Sequence, residues 1–280
     1  MPGVAVVTDS TSGLTEAIAR QHGIGIVPVQ VVVGGRTLAE GRDVNSQEVA
    51  AAMRSGIPVS TSRPAPGEFL RAYEEAVAAG AEHIVSVHLS GELSGTIETA
   101  TLAARSIDVD VTVIDSRTLG MSLGYSVLAG VQSAEAGESA EAVARQIEQV
   151  AAGSTCLFMV DDLVYLRRGG RLSRSSAAIG SALRVKPILE VKDGQVVALE
   201  KARTSGRALR RLAELTADNI SAGPHRIAVQ HLDAPERAEE LTAALKQTLG
   251  QVPIDLAELG AVIGAHAGPG TVSVACAPMP

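Results

Sequence analysis

The chain has 280 residues, 46% of them apolar and only 2% aromatic, with no tryptophan and a formal net charge of −7. That length holds one large domain or two modest ones, and the apolar share can fill a core lined by Val, Leu, Ile, Ala and Met. The acidic balance and the scarcity of rings exclude a general nucleic-acid binder, whether electrostatic or built on base stacking.

Cys156 and Cys276 lie far apart in apolar runs without a Cys or His at metal spacing, so buried thiols are expected and a disulfide framework is not. The start, Met1-Pro-Gly-Val-Ala-Val-Val-Thr8, has no basic segment, and no run of eighteen apolar residues follows. A soluble, cytoplasmic protein is expected.

Val4–Thr8 is a continuous apolar run ending in Asp9-Ser10-Thr11-Ser12, as buried parallel strands do. A helix is expected over 14–22 and a strand over 23–33, with Pro28 marking an edge or a break. Gly34-Gly35 is a turn. Asn45 and Glu48 form a capping box that opens a helix to about Arg54. Pro58–Pro64 is extended, because a residue before proline avoids the helical region. A helix over 67–79 follows. His83–Leu89 then reads as a strand, Ser90–Gly95 as a tight loop, and the residues after Gly95 as a helix with Ile97, Ala100 and Ala104 on one face. The next strand, Val109–Ile114, ends in Asp115-Ser116. This echoes Asp9-Ser10 and suggests a shared rim at the carboxyl edge of a parallel sheet, where ligands of open α/β sheets collect. Helices over 120–136 and 139–152 complete the first half.

Thr155–Val160 is a strand, 161–168 a helix, and Gly169–Ser173 a break. A small-residue helix is expected over 175–183. Val185–Val191 and Gln195–Glu200 flank Asp193-Gly194, a tight reversal that makes an antiparallel hairpin. Helix 206–221, strand 225–231, helix 235–249, strand 252–259, a glycine-rich loop over 264–270 and a final strand over 271–277 follow. The fold class is therefore α/β with two packed domains. Residues 1–153 carry a mostly parallel sheet and residues 154–280 a mixed sheet with a hairpin.

Several residues carry potential chemistry. A helix starting after Gly95 leaves N–H groups unpaired, and with Ser90, Ser94 and Thr96 these favour an anion; equally, Ser94 and Thr96 are ordinary helix caps. Thr61 and Ser62 are either polar loop residues or donors to a ligand oxygen, stiffened by Pro64. His266, flanked by glycines, is either a solvent-facing loop residue or a donor to an acidic ligand, since imidazole titrates near neutral pH. Arg167, Arg168, Arg171, Arg174 and Arg184 form a basic patch, a solvated face or a surface for an acidic partner, and Arg203 is a candidate for the same surface. The spacing of the histidines gives no metal site. No Walker loop or dinucleotide fingerprint occurs, and no Ser/His/Asp order can be established.

Asp9-Ser-Thr-Ser12, Thr61-Ser62-x-Pro64, Leu93-Ser-Gly-Thr96, Asp115-Ser116, Gly169-Gly-Arg171 and His266-Ala-Gly-Pro-Gly270 occur in one order across nearly the whole chain. In this the sequence resembles the DegV family, the fatty-acid-binding subunits of the bacterial fatty-acid kinase system. The resemblance implies a non-catalytic carrier, without a cofactor, that encloses one long-chain fatty acid as a ligand in a tunnel between the two α/β domains. It implies that Thr61, Ser62, Ser94, the Gly95 backbone and His266 surround the carboxylate. It also implies that Arg171 and Arg203 face a dihydroxyacetone-kinase-like partner, which carries ATP and forms the acyl phosphate used in phospholipid synthesis, with passing proximity to a membrane. The sequence departs from the family pattern at Gly91, Arg63 and Ala267, where Ser, an uncharged polar residue and Thr are common. Arg63 thereby becomes a candidate cation for the head group. The main alternative is a stand-alone binder or enzyme for a small anionic metabolite, phosphorylated or carboxylated; another is a ligand-free interaction protein.

Overall fold

The computed structural model describes residues 3–173, 185–220 and 223–279. The helix expected over 175–183, Arg174, Arg184 and the end of helix 206–221 at Ser221 lie outside the described residues.

Side-chain alternation along short apolar strands sets the first layer. β1 (Val4–Asp9), β2 (Gly25–Val27), β6 (His83–His88) and β7 (Asp110–Asp115) form a parallel sheet in the order β2-β1-β6-β7. Val4, Val6, Val85 and Val87 face α5 (Gly120–Glu135) and α6 (Ala140–Ala152). Val7, Val27 and Ile84 face α3 (Pro66–Ala78) and α4 (Thr96–Ala104), where Phe69 and Tyr73 are fully buried. A sheet covered on both faces accounts for the unbroken apolar runs of its strands. Between β1 and β2, α1 (Glu16–His22) starts on a Thr15 hydroxyl that accepts the Ile18 N–H.

The second sheet is mixed. β8 (Thr155–Met159), β9 (Lys186–Lys192), β10 (Gln195–Ala202), β11 (His225–His231), β12 (Asp255–Glu258) and β13 (Val272–Pro278) run in the order β10-β9-β8-β13-β11-β12. Leu157, Met159, Val229 and Val274 face α8 (Ser205–Asn219) and α9 (Pro235–Leu249). Ala228, Ala275 and Ala277 on the opposite face pack into the same cluster as α5. Helix α5 thus lies between the two sheets, which is why it is buried along most of its length and rich in Gly, Ala and Ser. At the β9–β10 reversal Asp193 and Gly194 have φ of 50° and 80°, the left-handed pair that a two-residue hairpin turn requires.

A third, small antiparallel sheet lies within the first half. The stretch 23–33 is not one strand: β2 ends at Val27, and after Pro28 the chain enters β3 (Gln30–Val33) in a different sheet. β4 (Arg36–Ala39) and β5 (Val59–Ser62) flank β3, and β4 was not expected from its sequence. Helix α2 (Ser46–Arg54) carries the expected Asn45–Glu48 capping box. It covers this sheet together with α10 (Ala261–Ala267). Residues 261–267 are therefore helical where the first part of the glycine-rich stretch 264–270 was expected as loop. The reason is tertiary. The buried carboxylate of Glu40 accepts the Val262 N–H at 2.9 Å and so completes the first turn, and Gly268 ends the helix at φ 86°. The remaining short helix, α7 (Val164–Arg168), follows β8.

The sandwiched position of α5 fixes the sign of a substitution. A Cβ on Gly124 would stand 2.5 Å from the Ser12 carbonyl oxygen, a backbone atom that cannot swing aside. Helix propensity favours Ala over Gly by about 0.5–1 kcal/mol, but overpacking costs about 1–3 kcal/mol. Gly124→Ala is expected to lower unfolding free energy in urea by about 1–2 kcal/mol; a stabilised variant would show that the turn at Ser12 is not pressed against this helix.

Candidate ligand-binding site

Strands β1, β6 and β7 end together in Asp9, His88 and Asp115, and the rim they form shapes the loop that follows β6. Buried Asp9 accepts the N–H groups of Thr11 and Leu89, each at 3.0 Å, and lies 3.1 Å from His88 Nδ1. His88 Nε2 is 2.7 Å from Ser86 Oγ, which is 2.9 Å from the Tyr73 hydroxyl. This is a Ser–His–Asp line in distances, yet all four side chains are fully buried and none lines the cavity that lies beyond the rim. A nucleophile must reach its substrate; this line instead holds Leu89 at the mouth of the loop. Its signal in the sequence is a Ser and a His two apart on one face of a buried strand, polar groups that need partners. Asp115 accepts the Gly91 N–H at 3.2 Å, and a Cβ on Gly91 would meet its Oδ2 at 3.0 Å, which makes the glycine at this position a tight fit.

Beyond the rim is a cavity of about 270 Å³ lined by the mixed sheet (Cys156, Phe158, Val196, Gln230 and Ser273), by β5 of the small sheet (Thr61 and Ser62) and by the loop that follows β6 (Leu89, Leu93 and Ser94). Leu89, Leu93, Leu119, Phe158, Leu166, Val196, Leu259 and Ile263 give it a largely aliphatic body. Cys156, buried and with its thiol pushed up to about 12 by that burial, lies in the same wall. Thr61, Ser62, Arg63, Ser94, Gly95, Arg171 and His266 also line it, so residues spread over more than 200 positions meet at one cavity.

Their local geometry differs from residue to residue. Thr61 Oγ1 and His266 Nε2 are 2.7 Å apart, joining β5 to the last turn of α10. The other side of the imidazole rests on Gly169, where a Cβ would collide with Nδ1. Burial first, then the nearby Arg171 charge, push the His266 pKa down to about 4. The ring is therefore neutral near pH 7 and does not titrate near neutral pH, the ground on which the sequence reads it as a donor to an acidic ligand. Arg171 is half-buried, donates Nε to the Leu93 carbonyl at 3.1 Å and also donates to the Gly169 carbonyl. Arg63 lies across the start of α4: its Nη1 would be 3.1 Å from a Cβ on Gly95.

Helix α4 begins at Gly95 with no side-chain cap. Ser94 and Thr96 pair with each other at 2.8 Å instead of capping, so the helix-cap reading of these two residues does not hold. Ser90, in contrast, donates to the Gly194 carbonyl at 2.8 Å and ties the loop to the β9–β10 hairpin. Thr61, Arg171 and His266 also border an outer cleft shared with Ile57, Tyr165 and Arg168, so these three side chains form the partition between cavity and surface. Arg203 is exposed beyond the end of β10. Leu172 bridges Val196 on that strand, so Arg203 stands seven residues, about 20 Å, further along and is not brought beside Arg171.

Glu40 was not anticipated. It is buried, accepts the Ser10 hydroxyl and the Val262 N–H, and its pKa is raised chiefly by burial. Through α10 it sets the height of His266 over Thr61.

The unfolded His266 titrates near about 6.5 and the folded one near about 4, so below pH 6.5 the unfolded chain takes the proton first. The stability associated with a neutral His266 is present in full above pH 6.5 and lost as pH falls through about 4. Proton-coupled NMR of the ring should show a midpoint near 4, and His266→Gln should remove this part of the acid destabilisation; a midpoint near 6.5 would mean an exposed ring.

A family model described as "Uncharacterised protein, DegV family" matches residues 3–279. A DegV domain-containing protein of Streptomyces coelicolor is 45% identical over 97% of each chain. Among solved structures, a fatty-acid-binding DegV family protein from Thermus thermophilus matches with a TM-score of 0.89 and 32% identity over 99% of each chain. DegV of Bacillus subtilis, described as a fatty acid binding protein, matches with a TM-score of 0.89 and 34% identity over 99% of each chain.

Proposed function

The chain belongs to the DegV family, and on that premise we propose that its cavity encloses one long-chain fatty acid, with the carboxylate at the Thr61–His266 end. The observation that carries the reading is the division of a single cavity into an aliphatic body and an end rich in hydrogen-bond donors. Burying about fourteen methylenes is worth on the order of 11 kcal/mol before the cost of association, so the tail dominates affinity. The carboxylate cannot be buried bare, since an unpaired charge costs several kcal/mol. The hydroxyls of Thr61, Ser62 and Ser94, the Gly95 N–H and the guanidinium groups of Arg63 and Arg171 answer that need. With its proton on Nε2, neutral His266 donates to Thr61 Oγ1 and turns the Thr61 hydroxyl proton toward the carboxylate.

In this reading residues 1–153 and 154–280 are two domains that clasp the acyl chain between them. The carboxylate sits in the partition, reachable from the outer cleft by a dihydroxyacetone-kinase-like partner that carries ATP. A carboxylate oxygen attacks the γ-phosphorus, the new O–P bond forms as the bond to ADP breaks, and an acyl phosphate for phospholipid synthesis results. The nucleophile belongs to the lipid, so no side chain of this protein needs to act as one. Arg171 serves the head group and the mouth together, and exposed Arg203 serves the partner alone. Exchange of the acyl chain brings the protein into passing proximity with a membrane.

Solvent extraction of the purified protein followed by mass spectrometry, with titration of added palmitate and oleate, tests the ligand. One acyl chain per protein is expected, and no lipid together with no uptake rejects the reading. Thr61→Val and Ser94→Ala should each weaken binding by about tenfold, the worth of one hydrogen bond to a charged group. Losses in folding stability of the same size would assign both residues a structural part instead. Arg203→Ala should leave palmitate binding intact and lower acyl-phosphate formation with the kinase partner by about tenfold; unchanged turnover refutes a role for Arg203 in docking.

A further inference from the structure

The wall that the mixed sheet contributes to the cavity is not wholly apolar. Strands β8, β13 and β11 place Phe158, Ser273 and Gln230 in one row through the pairs Ser273↔Phe158 and Gln230↔Ser273, and all three line the cavity. Gln230 is 2% exposed. Its Oε1 accepts the Met121 N–H at 2.9 Å. That bond fixes the orientation of the amide, because a turned amide would point N–H at N–H. Nε2 is then left buried with no hydrogen-bond partner among the described residues. Gly13 closes one side of it, since a Cβ there would stand 3.0 Å away. Ser273 is buried as well, and its hydroxyl reaches the main-chain carbonyl of Gln230 only over a long 3.4 Å.

An unmet buried donor is costly, and folded proteins rarely keep one without a use. A saturated hydrocarbon tail offers Nε2 no acceptor, whereas an oxygen on the tail does. A hydroxyl there can accept from Gln230 Nε2 and donate to Ser273 Oγ; a keto oxygen can accept from both. We infer that the cavity recognises an acyl chain oxygenated along its tail, a hydroxy or oxo fatty acid, through the Gln230 amide with Ser273 beside it. The inference rests on the fatty-acid reading of the same cavity and names the chemical class of acid it selects.

The test is a competition on the whole protein between palmitate and a set of hydroxypalmitates with the hydroxyl at successive carbons. One position, or two adjacent ones, should bind about tenfold more tightly than palmitate, the range of a single buried hydrogen bond. Gln230→Met, which keeps the bulk and removes the donor, should bring that ratio to about one, and Ser273→Ala should narrow it. Should Gln230→Met fail to fold, the wild-type series decides by itself. If palmitate binds and every hydroxypalmitate binds equally or more weakly, the inference is overturned and the fatty-acid reading stands. If neither class binds, both are overturned.

Discussion

The site depends on one hydrogen bond between residues 205 positions apart, Thr61 to His266. It joins the edge strand of the small antiparallel sheet to a short helix, and so closes the cavity at the end where charge has to be received. The bond is useful because the imidazole is neutral. Burial and the Arg171 guanidinium keep protons off His266, which leaves the positive charge at this end to the arginines and the directional donation to the hydroxyls.

That contact is held from two sides. On one side, buried Asp9 draws in Leu89 and His88 at the sheet rim, which sets the loop leading to Ser94 and the uncapped start of α4. On the other, Glu40 ties the turn after β1 to the first turn of α10, which carries His266. Both carboxylates are spent on N–H and O–H groups inside the protein. The Ser86–His88–Asp9 line shows how a catalytic arrangement of distances becomes a structural brace once it is sealed in a core.

Elements governed by local chemistry were legible in the sequence. The buried runs of β1 and β6, the break at Pro28, the Asn45–Glu48 box and the Asp193-Gly194 reversal each follow from residue type and spacing. Elements governed by tertiary contact were not. β4 is four residues of weak alternation that exist as a strand because β3 pairs with them. Helix α10 is seven residues, Ala-Val-Ile-Gly-Ala-His-Ala, whose first turn needs Glu40, more than 200 positions away. At the site, the anion-favouring loop, Thr61, Ser62 and His266 were visible as residue types in short motifs, but their convergence was supplied by resemblance to a family. The neutral state of His266, the commitment of Ser90 to the hairpin and the unmet amide of Gln230 arise from burial and neighbours, which no spacing encodes.

The central claim is that donors from three separate elements hold an ionised carboxylate at the polar, Thr61–His266 end of an aliphatic cavity. Carbon-13 NMR of palmitate labelled at its carboxyl carbon, bound to the protein and titrated with acid, addresses it directly. A carboxyl group in water protonates near about 4.3, whereas one held by several hydrogen bonds and adjacent guanidinium groups stays ionised well below that. A single bound resonance that remains at the carboxylate position past pH 4.3, and moves back toward the aqueous titration in Thr61→Val, is the predicted result. A bound carboxyl that titrates as it does in water would place the head group outside the Thr61–His266 end and contradict the claim.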